Sequence, residues 1–409
     1  MRNKNLFTLA TTACVLAALT FTDTAFADTS DTLQTPEAVD AAMSKYVAQL
    51  KTSYLKDSAS SFKDSKLAVG DAESSLAEKK ATEGTSTLAK DHLSVTSASV
   101  GSGPLSSTKT GQNYKVTTDI TTKLKLKADK GTKIYIGNTE KDTLDSSWTD
   151  KHVITLTPAG GTSSQPTYNV TSDVVKDDYA SVKPLPNDVE PALPTPSSTN
   201  EESNGISRVE KKMSILQRQT SAQSNTLGNG GGWLDEIVYA NKWTSAPYAG
   251  DAKSDFNSSF PYYDDNCTNF VSQAMYAGGL PLVGASSPFL YDTSVWTWNL
   301  SGVLSASRTW SYAPSNYTFM KDHSNTFTVM DNIWHAWQGS LLYVDWTSDG
   351  TIDHVMVVVG VLVSDSGVVD PIIDQKTNNR YQITLHQSIA YAAQAGHKNL
   401  TWYGLQYRF

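Results

Sequence analysis

The stretch DDNCTNFVSQAMYAGG, from Asp264 to Gly279, decides the fold of the C-terminal half of this chain. Its apolar residues recur at helical spacing from Cys267 onward, which predicts a helix with one buried face. Asp265 or Asn266 can cap this helix, because a short side-chain oxygen accepts hydrogen bonds from the free amides of a first turn. The two glycines at the end of the stretch predict where the helix stops, since glycine tolerates the left-handed conformation found there.

Cys267 falls in the first turn of this predicted helix. The helix dipole and the unpaired backbone amides favour a thiolate at such a position, which lowers the thiol pKa below its free value of about 8.5. A buried free cysteine is otherwise a small inert apolar residue. The stretch by itself therefore leaves two interpretations of Cys267 open, a nucleophile and a core residue.

The N-terminal segment is typical of a secretory leader. Arg2 and Lys4 precede an apolar run, and Ala25-Phe26-Ala27 provides a cleavage site of the small-x-small type. We therefore predict a signal peptide over residues 1–27 and a secreted, extracellular mature protein. No later stretch approaches membrane-spanning length, so we expect no integral membrane segment in the mature chain.

The net charge and the cysteine content limit the functions that this chain can have. The chain of 409 residues has 33 basic and 41 acidic residues and a net charge of −8, which is unsuited to binding nucleic acid. Apart from Cys14 in the leader, Cys267 is the only cysteine. An exported chain with one thiol cannot form an internal disulfide, so that thiol is either buried or kept for chemistry.

Composition divides the mature chain into three segments and predicts an α+β fold. Residues 28–186 show helical spacing over 37–55 and then several strand-like stretches, which indicates a small α+β domain of unknown role. Residues 187–232 are rich in Pro, Ser and Gly and predict a flexible linker. Residues 233–409 predict a second α+β domain, which contains all but one of the tryptophans.

The C-terminal segment orders its polar groups as a thiol hydrolase does. His354 opens the apolar run 355–363, which predicts a central strand covered on both faces. A further predicted strand, 381–385, ends at His386-Gln387, and the imidazole or the amide there can orient the ring of His354. In thiol hydrolases, a histidine deprotonates a cysteine at a helix N-terminus and a third polar group orients that histidine. For His354 taken alone, a structural histidine at the start of a strand is the alternative.

The same residues resemble a known family. CTNFVSQAMYAGG is similar to the Cys-Thr-Asn-Phe-x-Ser-Gln signature of the putative amidase domain family, which groups with papain-like cysteine amidohydrolases near the CHAP and NlpC-type cell-wall peptidases. The resemblance covers residues 234–409. It implies a papain-like fold, in which a helix bearing Cys267 packs on an antiparallel sheet bearing His354. It also implies that Cys267 is the nucleophile, His354 the general base and His386 the third catalytic residue, without a metal or cofactor.

By this resemblance, the substrate is an amide bond in cell-wall peptide of a Gram-positive type of bacterium. The family usually has Asp before the cysteine, whereas this chain has Asn266. We expect the backbone amide of Cys267 and a donor such as Asn266 or Tyr263 to form the oxyanion hole. The tryptophan cluster that includes Trp296 and Trp298 either belongs to the core or lines a substrate groove. A catalytically inactive wall-binding or ligand-binding module on the same fold is the alternative function, and the N-terminal domain is a candidate inhibitory pro-region.

Two metal sites are weaker alternatives. One set imitates the spacing of a calcium loop but lacks its last carboxylate, and the other groups possible zinc ligands without the usual spacing. The first set is Asp345, Asp349 and Asp353, and the second is His323, Asp331 and His335.

Overall fold

The computed structural model describes residues 36–56, 72–162, 165–176, 188, 196–201, 209, 211, 214, 232–245, 256–286, 289–300, 305–364, 367 and 369–408. The predicted signal peptide, with Cys14, lies outside the described residues, as does most of the predicted linker. Within the described part, no helix is both long and apolar enough to cross a bilayer.

The N-terminal part contains two helices followed by strands. The helix predicted over residues 37–55 is present, and its buried residues share one face that packs on the strands. The elements are α1 (Glu37–Lys56), α2 (Ala72–Thr85), β1 (Leu93–Ser102), β2 (Ser106–Thr110), β3 (Asn113–Ala128), β4 (Lys133–Ile136), β5 (Thr139–Lys141), β6 (Thr143–Thr162) and β7 (Gln165–Val175).

The C-terminal part alternates helices and strands. Its helices are α3 (Trp233–Thr244), α4 (Cys267–Ala277), α5 (Arg308–Ser311), α6 (Ala313–Asp322) and α7 (Leu385–Gln394), with a short 3₁₀ helix at Ile333–His335. Its strands are β8 (Phe327–Met330), β9 (Leu341–Asp345), β10 (His354–Val363), β11 (Val369–Gln375), β12 (Arg380–Thr384) and β13 (Thr401–Tyr407).

The thirteen described strands form one antiparallel sheet with β10 near its middle. The strand order is β1-β3-β6-β12-β11-β10-β9-β13-β8, with β2 and β7 added at β3 and β6. One edge of β10 pairs with β11, and its other edge pairs first with β9 and then with β4. Every residue of β10 is buried, as expected for a strand covered on both faces. Helix α4 packs against β10 and β11, so the sheet fixes the position of this helix.

Strands from both predicted domains share this sheet. Ile136 of β4 pairs with Gly360 of β10, and Trp148 of β6 pairs with Arg380 of β12. Gly360 is required for the first contact, because a Cβ there would lie against the backbone oxygen of Tyr135. The described residues from 36 onward form one compact unit. The predicted domain boundaries stay a prediction, but the sheet runs across both segments.

Described residues of the predicted linker are bound to the C-terminal part. The backbone amide of Ser197 donates to the carbonyl of Trp402 at 2.8 Å. The indole of Trp334 donates to the carbonyl of Thr199, also at 2.8 Å. Further along, Glu201 contacts α7. Residues 196–201 are therefore held in place by directional hydrogen bonds, despite a composition typical of flexible chain.

Candidate active site

Cys267 is the first residue of α4 and is almost completely buried, with 2% of its surface exposed. Its Sγ lies 3.5 Å from the hydroxyl oxygen of Thr268. Burial raises the pKa of the Cys267 thiol, while hydrogen bonds from Thr268 and from the Val355 backbone lower it to a smaller extent. The expectation of a lowered thiol pKa is therefore wrong for this structure, because loss of solvent outweighs the effect of the helix N-terminus.

His354 is the first residue of β10 and directly precedes Val355, whose backbone contacts Cys267. The thiol and the imidazole therefore lie at the same end of β10. Burial and the positive charge of Arg380 lower the pKa of His354 to about 3, so the imidazole is neutral at neutral pH and is a weaker base than a solvated histidine. Its Nε2 is buried and has no hydrogen-bond partner among the described residues.

Gln375 supplies the polar group beside His354. It ends β11, the neighbouring strand, and its nearby side chain acts to raise the pKa of His354. Oε1 of Gln375, like Nε2 of His354, has no hydrogen-bond partner among the described residues. Gln375 is buried, and its Nε2 donates to the carbonyl oxygen of Asn378 at 3.1 Å. Cys267, through the Val355 backbone, and Gln375, through the pairing of β11 with β10, therefore lie around the same end of β10 as His354. Sequence reasoning missed Gln375, although a polar residue at the end of a buried strand was a visible signal.

Asn266 precedes the nucleophile candidate without capping its helix. Its backbone amide donates to Oγ1 of Thr377 at 2.8 Å, and its Oδ1 accepts from Nδ2 of Asn269 at 2.7 Å. No side-chain hydrogen bond caps the helix at this residue. The predicted capping role is therefore not observed. The backbone amide of Asn266 is also already paired, so Cys267 is the better placed oxyanion donor of the two.

The comparisons with known proteins bear on this group. Residues 234–399 match the family model described as Putative amidase domain. The matched segment runs from α3 to the end of the α7 region and contains Cys267, His354 and Gln375. The comparisons with curated proteins and with solved structures each found no match. The match points to amide hydrolysis as the chemistry of this amidase-like segment.

His386 also lies in the amidase-like segment, but the structure does not bring it to Cys267 and His354. It sits in the first turn of α7, and its Nδ1 lies 2.8 Å from Oδ2 of Asp370. Asp370 is at the opposite end of β11 from Gln375, about 16 Å away at the rise of a strand. The predicted third catalytic role is therefore corrected: β12 runs antiparallel to β11, so its end lies far from the start of β10.

The protonation state of His386 also differs from that of a general base. Burial alone lowers the pKa of its imidazole, but hydrogen bonds and charges from Asp370 and Asp91 outweigh that effect and raise it to about 11. The ring is therefore protonated at neutral pH in this arrangement. A cation that cannot release its proton near neutral pH does not accept one from a thiol.

The predicted groove residues of the amidase-like segment occupy different environments. Trp296 is fully buried and stacks on Phe319, with ring centroids 5.7 Å apart, so it is a core residue and does not line a groove. Trp298 is partly buried, and its indole nitrogen has no hydrogen-bond partner among the described residues. The hydroxyl of Tyr263 accepts from the backbone amide of Ala306 at 3.4 Å. Its own proton can still be donated, so the predicted oxyanion role of Tyr263 stays a prediction.

The sequence suggests two candidate metal sites, one for calcium and one for zinc. Among the described residues, neither set brings its ligand atoms together. Oδ2 of Asp345 accepts from the backbone amide of Gly350 at 2.8 Å, and Oδ2 of Asp353 accepts from that of Trp346 at 2.8 Å. These carboxylates therefore organise a loop through backbone amides. Of the zinc candidates, His335 contacts an exposed carboxylate, whereas His323 stacks on an aromatic ring. The group whose ligand atoms do converge is Asp91, Asp370 and His386.

Proposed function

We propose that this protein is a secreted cysteine amidohydrolase whose papain-like C-terminal part cleaves an amide bond in cell-wall peptide. One observation carries the proposal. Cys267 opens α4 next to the Val355 backbone, directly beside His354 at the start of β10, inside the segment that matches a putative amidase domain. A cysteine at a helix N-terminus facing a histidine on a strand is the arrangement that thiol hydrolases use.

The proposed reaction follows from these three side chains. His354 takes the thiol proton as Sγ of Cys267 attacks the amide carbon, and the carbonyl oxygen becomes an oxyanion. The first-turn backbone amide of Cys267 has no intrahelical partner and is available to stabilise that oxyanion. The C–N bond then breaks, and His354 gives its proton to the leaving amine. Water, deprotonated by His354, hydrolyses the thioester and regenerates the thiol.

Gln375 takes the place that the sequence analysis assigned to His386. Its amide lies close enough to the imidazole of His354 to act on the pKa of the ring, and in the proposed enzyme it orients the ring by accepting a hydrogen bond from it during the reaction. An amide is neutral, so it orients the ring without stabilising the imidazolium as strongly as a carboxylate does. In the resting enzyme, both Cys267 and His354 are therefore neutral, and proton transfer accompanies nucleophilic attack.

The substrate class and the compartment rest on the sequence. The leader-like residues 1–27 support export, and the resemblance of the Cys267 motif to wall amidases supports a cell-wall peptide substrate. The net charge of −8 gives no general attraction to anionic wall polymers, so recognition of the wall has to be specific.

A catalytically inactive wall-binding or ligand-binding module is the second candidate. The burial of Cys267 and the raised pKa of its thiol favour this alternative, as does Asn266 at the position where the family has Asp. In such a module Cys267 would be a core residue and His354 a buried structural histidine.

The rate of iodoacetamide labelling of Cys267 separates the two functions. The proteins compared are the wild type, His354→Ala and, as a matched control, His323→Ala, whose imidazole is exposed on the C-cap of α6. For a hydrolase, we expect the His354 variant to be labelled at least about tenfold more slowly than the wild type at neutral pH, because the base is gone. The His323 variant should react like the wild type.

Equal and slow labelling of all three proteins would instead assign Cys267 to the core and support the inactive module. Cys267→Ala and the wild type are then compared for release of new amino groups from purified cell-wall peptide. An activity present in the wild type and lost in Cys267→Ala supports the proposed reaction, and an activity equal in both contradicts it.

A further inference from the structure

Four ionisable side chains from distant parts of the chain meet at the N-terminus of α7. Asp370 and His386 come from the amidase-like segment, Asp91 from the loop before β1, and Glu201 from the predicted linker. His386 Nδ1 lies 2.8 Å from Oδ2 of Asp370 and 2.8 Å from Oδ1 of Asp91. On the other side of the ring, Nε2 lies 3.0 Å from Oε1 of Glu201.

One carboxylate oxygen in this cluster accepts no hydrogen bond. A protonated Nδ1 carries a single hydrogen, and it is directed to Oδ2 of Asp370. Oδ1 of Asp91 is equally close to Nδ1 but has no hydrogen-bond partner, although Asp91 is only 2% exposed. Its other oxygen, Oδ2, accepts from Oγ1 of Thr384 at 2.8 Å. Two buried carboxylates this close together need a positive charge between them. The protonated imidazole supplies that charge through its ion pairs with both carboxylates, and a bound metal ion would take the place of the Nδ1 proton.

We propose that Asp91, Asp370 and His386 form a binding site for a divalent transition-metal ion, of which zinc is the probe. Their ligand atoms all lie within 4.8 Å of one another. Around a tetrahedral zinc ion, such atoms stand about 3.4 Å apart, so the two 2.8 Å separations have to widen by about half an ångström. On binding, Nδ1 loses its proton to solvent, and the two negative carboxylates balance the charge of the ion.

The surroundings of His386 match those of a metal-ligating histidine. When Nδ1 binds a metal, Nε2 keeps its hydrogen and donates it to Glu201, which is the carboxylate–histidine–metal arrangement that fixes tautomer and ring orientation. The indole of Trp334 covers the ring, with centroids 4.5 Å apart, and limits access of water. A set of one imidazole and two carboxylates suits zinc or manganese, whereas calcium prefers oxygen ligands alone.

This site is separate from the proposed catalytic group. Asp370 pairs with Leu362, which is eight residues along β10 from His354, or about 26 Å at the rise of a strand. The proposed ligands come from three places: Asp91 lies in the N-terminal part, Asp370 on β11 and His386 on α7. Glu201 contacts the opposite side of the His386 ring. Because these residues are far apart in sequence, an ion bound here stabilises the folded chain over the unfolded one.

Metal content and metal-dependent stability test the proposal on the full mature chain. The protein is stripped with a chelator, incubated with excess zinc, passed through a desalting column and analysed for retained zinc and melting temperature. We expect one zinc ion per chain and a higher melting temperature in zinc than in magnesium. Cobalt in place of zinc should give the visible absorption of a site with nitrogen and oxygen ligands.

Three variants locate the site. Asp370→Asn and His386→Ala remove ligands and should abolish zinc retention. Glu201→Gln changes only the partly exposed outer carboxylate, so it should fold and lower the zinc affinity about 10–100-fold. His335→Ala, at a histidine–carboxylate pair on the surface, serves as the matched control and should bind zinc like the wild type. Wild-type protein that retains no zinc, or a Glu201 variant with unchanged affinity, would overturn the proposal.

Discussion

Two protonation states define the proposed catalytic group at the scale of single residues. Burial raises the pKa of Cys267 and, together with Arg380, lowers that of His354. Both shifts favour the uncharged forms, so this structure shows a neutral thiol and a neutral imidazole. Gln375 acts against the lowering of the His354 pKa, because its amide oxygen favours a protonated imidazole nearby. The base strength of His354 therefore depends on Gln375.

Replacing Gln375 by Ala should slow alkylation of Cys267 at neutral pH by at least about tenfold. The reason is that the imidazole loses the neighbouring amide that acts to raise its pKa. Gln375→Glu keeps an acceptor for the ring and should retain more of the rate. Gln406→Ala, at a partly exposed amide on β13, is the matched control. The measurement is the second-order rate constant of labelling between pH 6 and pH 9. A Gln375→Ala rate equal to that of the wild type would rule out the positioning role.

The sequence predicts Cys267 and His354 as members of the proposed group, but it does not predict Gln375. Cys267 and His354 each open an element with a strong apolar period, so their positions at element ends could be predicted. The third residue depends on which strand lies beside β10 and in which register. His386 and Gln375 both follow apolar runs, and the sequence does not specify that β11 brings only Gln375 to the start of β10.

At the scale of elements, α7 shows where a visible signal was overlooked. Thr384 and Gln387 form a capping box, in which each side chain binds the backbone of the other residue. The spacing Thr-x-x-Gln is a sequence signature of a helix start. The predicted strand over 381–385 therefore had to end at Thr384, and His386 had to lie in a helix. The sequence left Trp296 open between core and groove, since burial of a large aromatic ring is decided by tertiary packing.

The buried carboxyl group of Asp374 on β11 makes the free energy of unfolding depend on pH. Its Oδ1 accepts from the backbone amide of Gln382 on β12 at 2.7 Å, and its Oδ2 contacts Oγ1 of Thr244 on α3 at 2.9 Å. Burial raises its pKa to about 7, although these hydrogen bonds lower it in part. The folded state thus holds this proton up to about pH 7, whereas an unfolded Asp releases it near pH 3.9. Stability from this group is therefore present at low pH and lost as pH rises to about 7.

Asp374→Asn should remove this pH dependence, because an amide imitates the protonated acid in size and hydrogen bonding. Urea unfolding of both proteins at pH 4.5, 6 and 7.5 provides the comparison. The free energy of unfolding of the variant, relative to the wild type, should rise across this range by about 3 kcal/mol. A difference between the two proteins that does not change with pH would show that Asp374 ionises normally in the folded state.

At the scale of the whole molecule, the continuous sheet changes the meaning of the predicted linker. Composition suggested two domains joined by flexible chain, and local composition carries no information on pairing between distant strands. The structure pairs Ile136 with Gly360 and Trp148 with Arg380. A bond of 2.5 Å between the guanidinium of Arg380 and the carboxylate of Asp150 adds to the second junction. Release of the N-terminal part as an inhibitory pro-region would therefore require these strand pairs to separate.

Cutting the chain in the linker should consequently leave the two fragments associated. A specific protease site is introduced within residues 217–231, which lie outside the described part, and the cut protein is analysed by gel filtration. We expect both fragments to elute together and the amidase activity or labelling rate of Cys267 to stay the same, because the strand pairs hold both parts. Fragments that separate without denaturant, with a rise in activity, would contradict this expectation and support a pro-region.

A pair of glycine variants tests whether the junction at β10 holds the fragments together. A side chain at Gly360 would meet the backbone oxygen of Tyr135 and the side chain of Ile136, so Gly360→Val should weaken the pairing of β4 with β10. Gly101 on β1 has open space around the position of a Cβ, and Gly101→Val is the matched control. After cutting, the Gly360 variant should dissociate at a lower urea concentration than the control, because strand pairing across the two segments is what replaces the missing covalent connection.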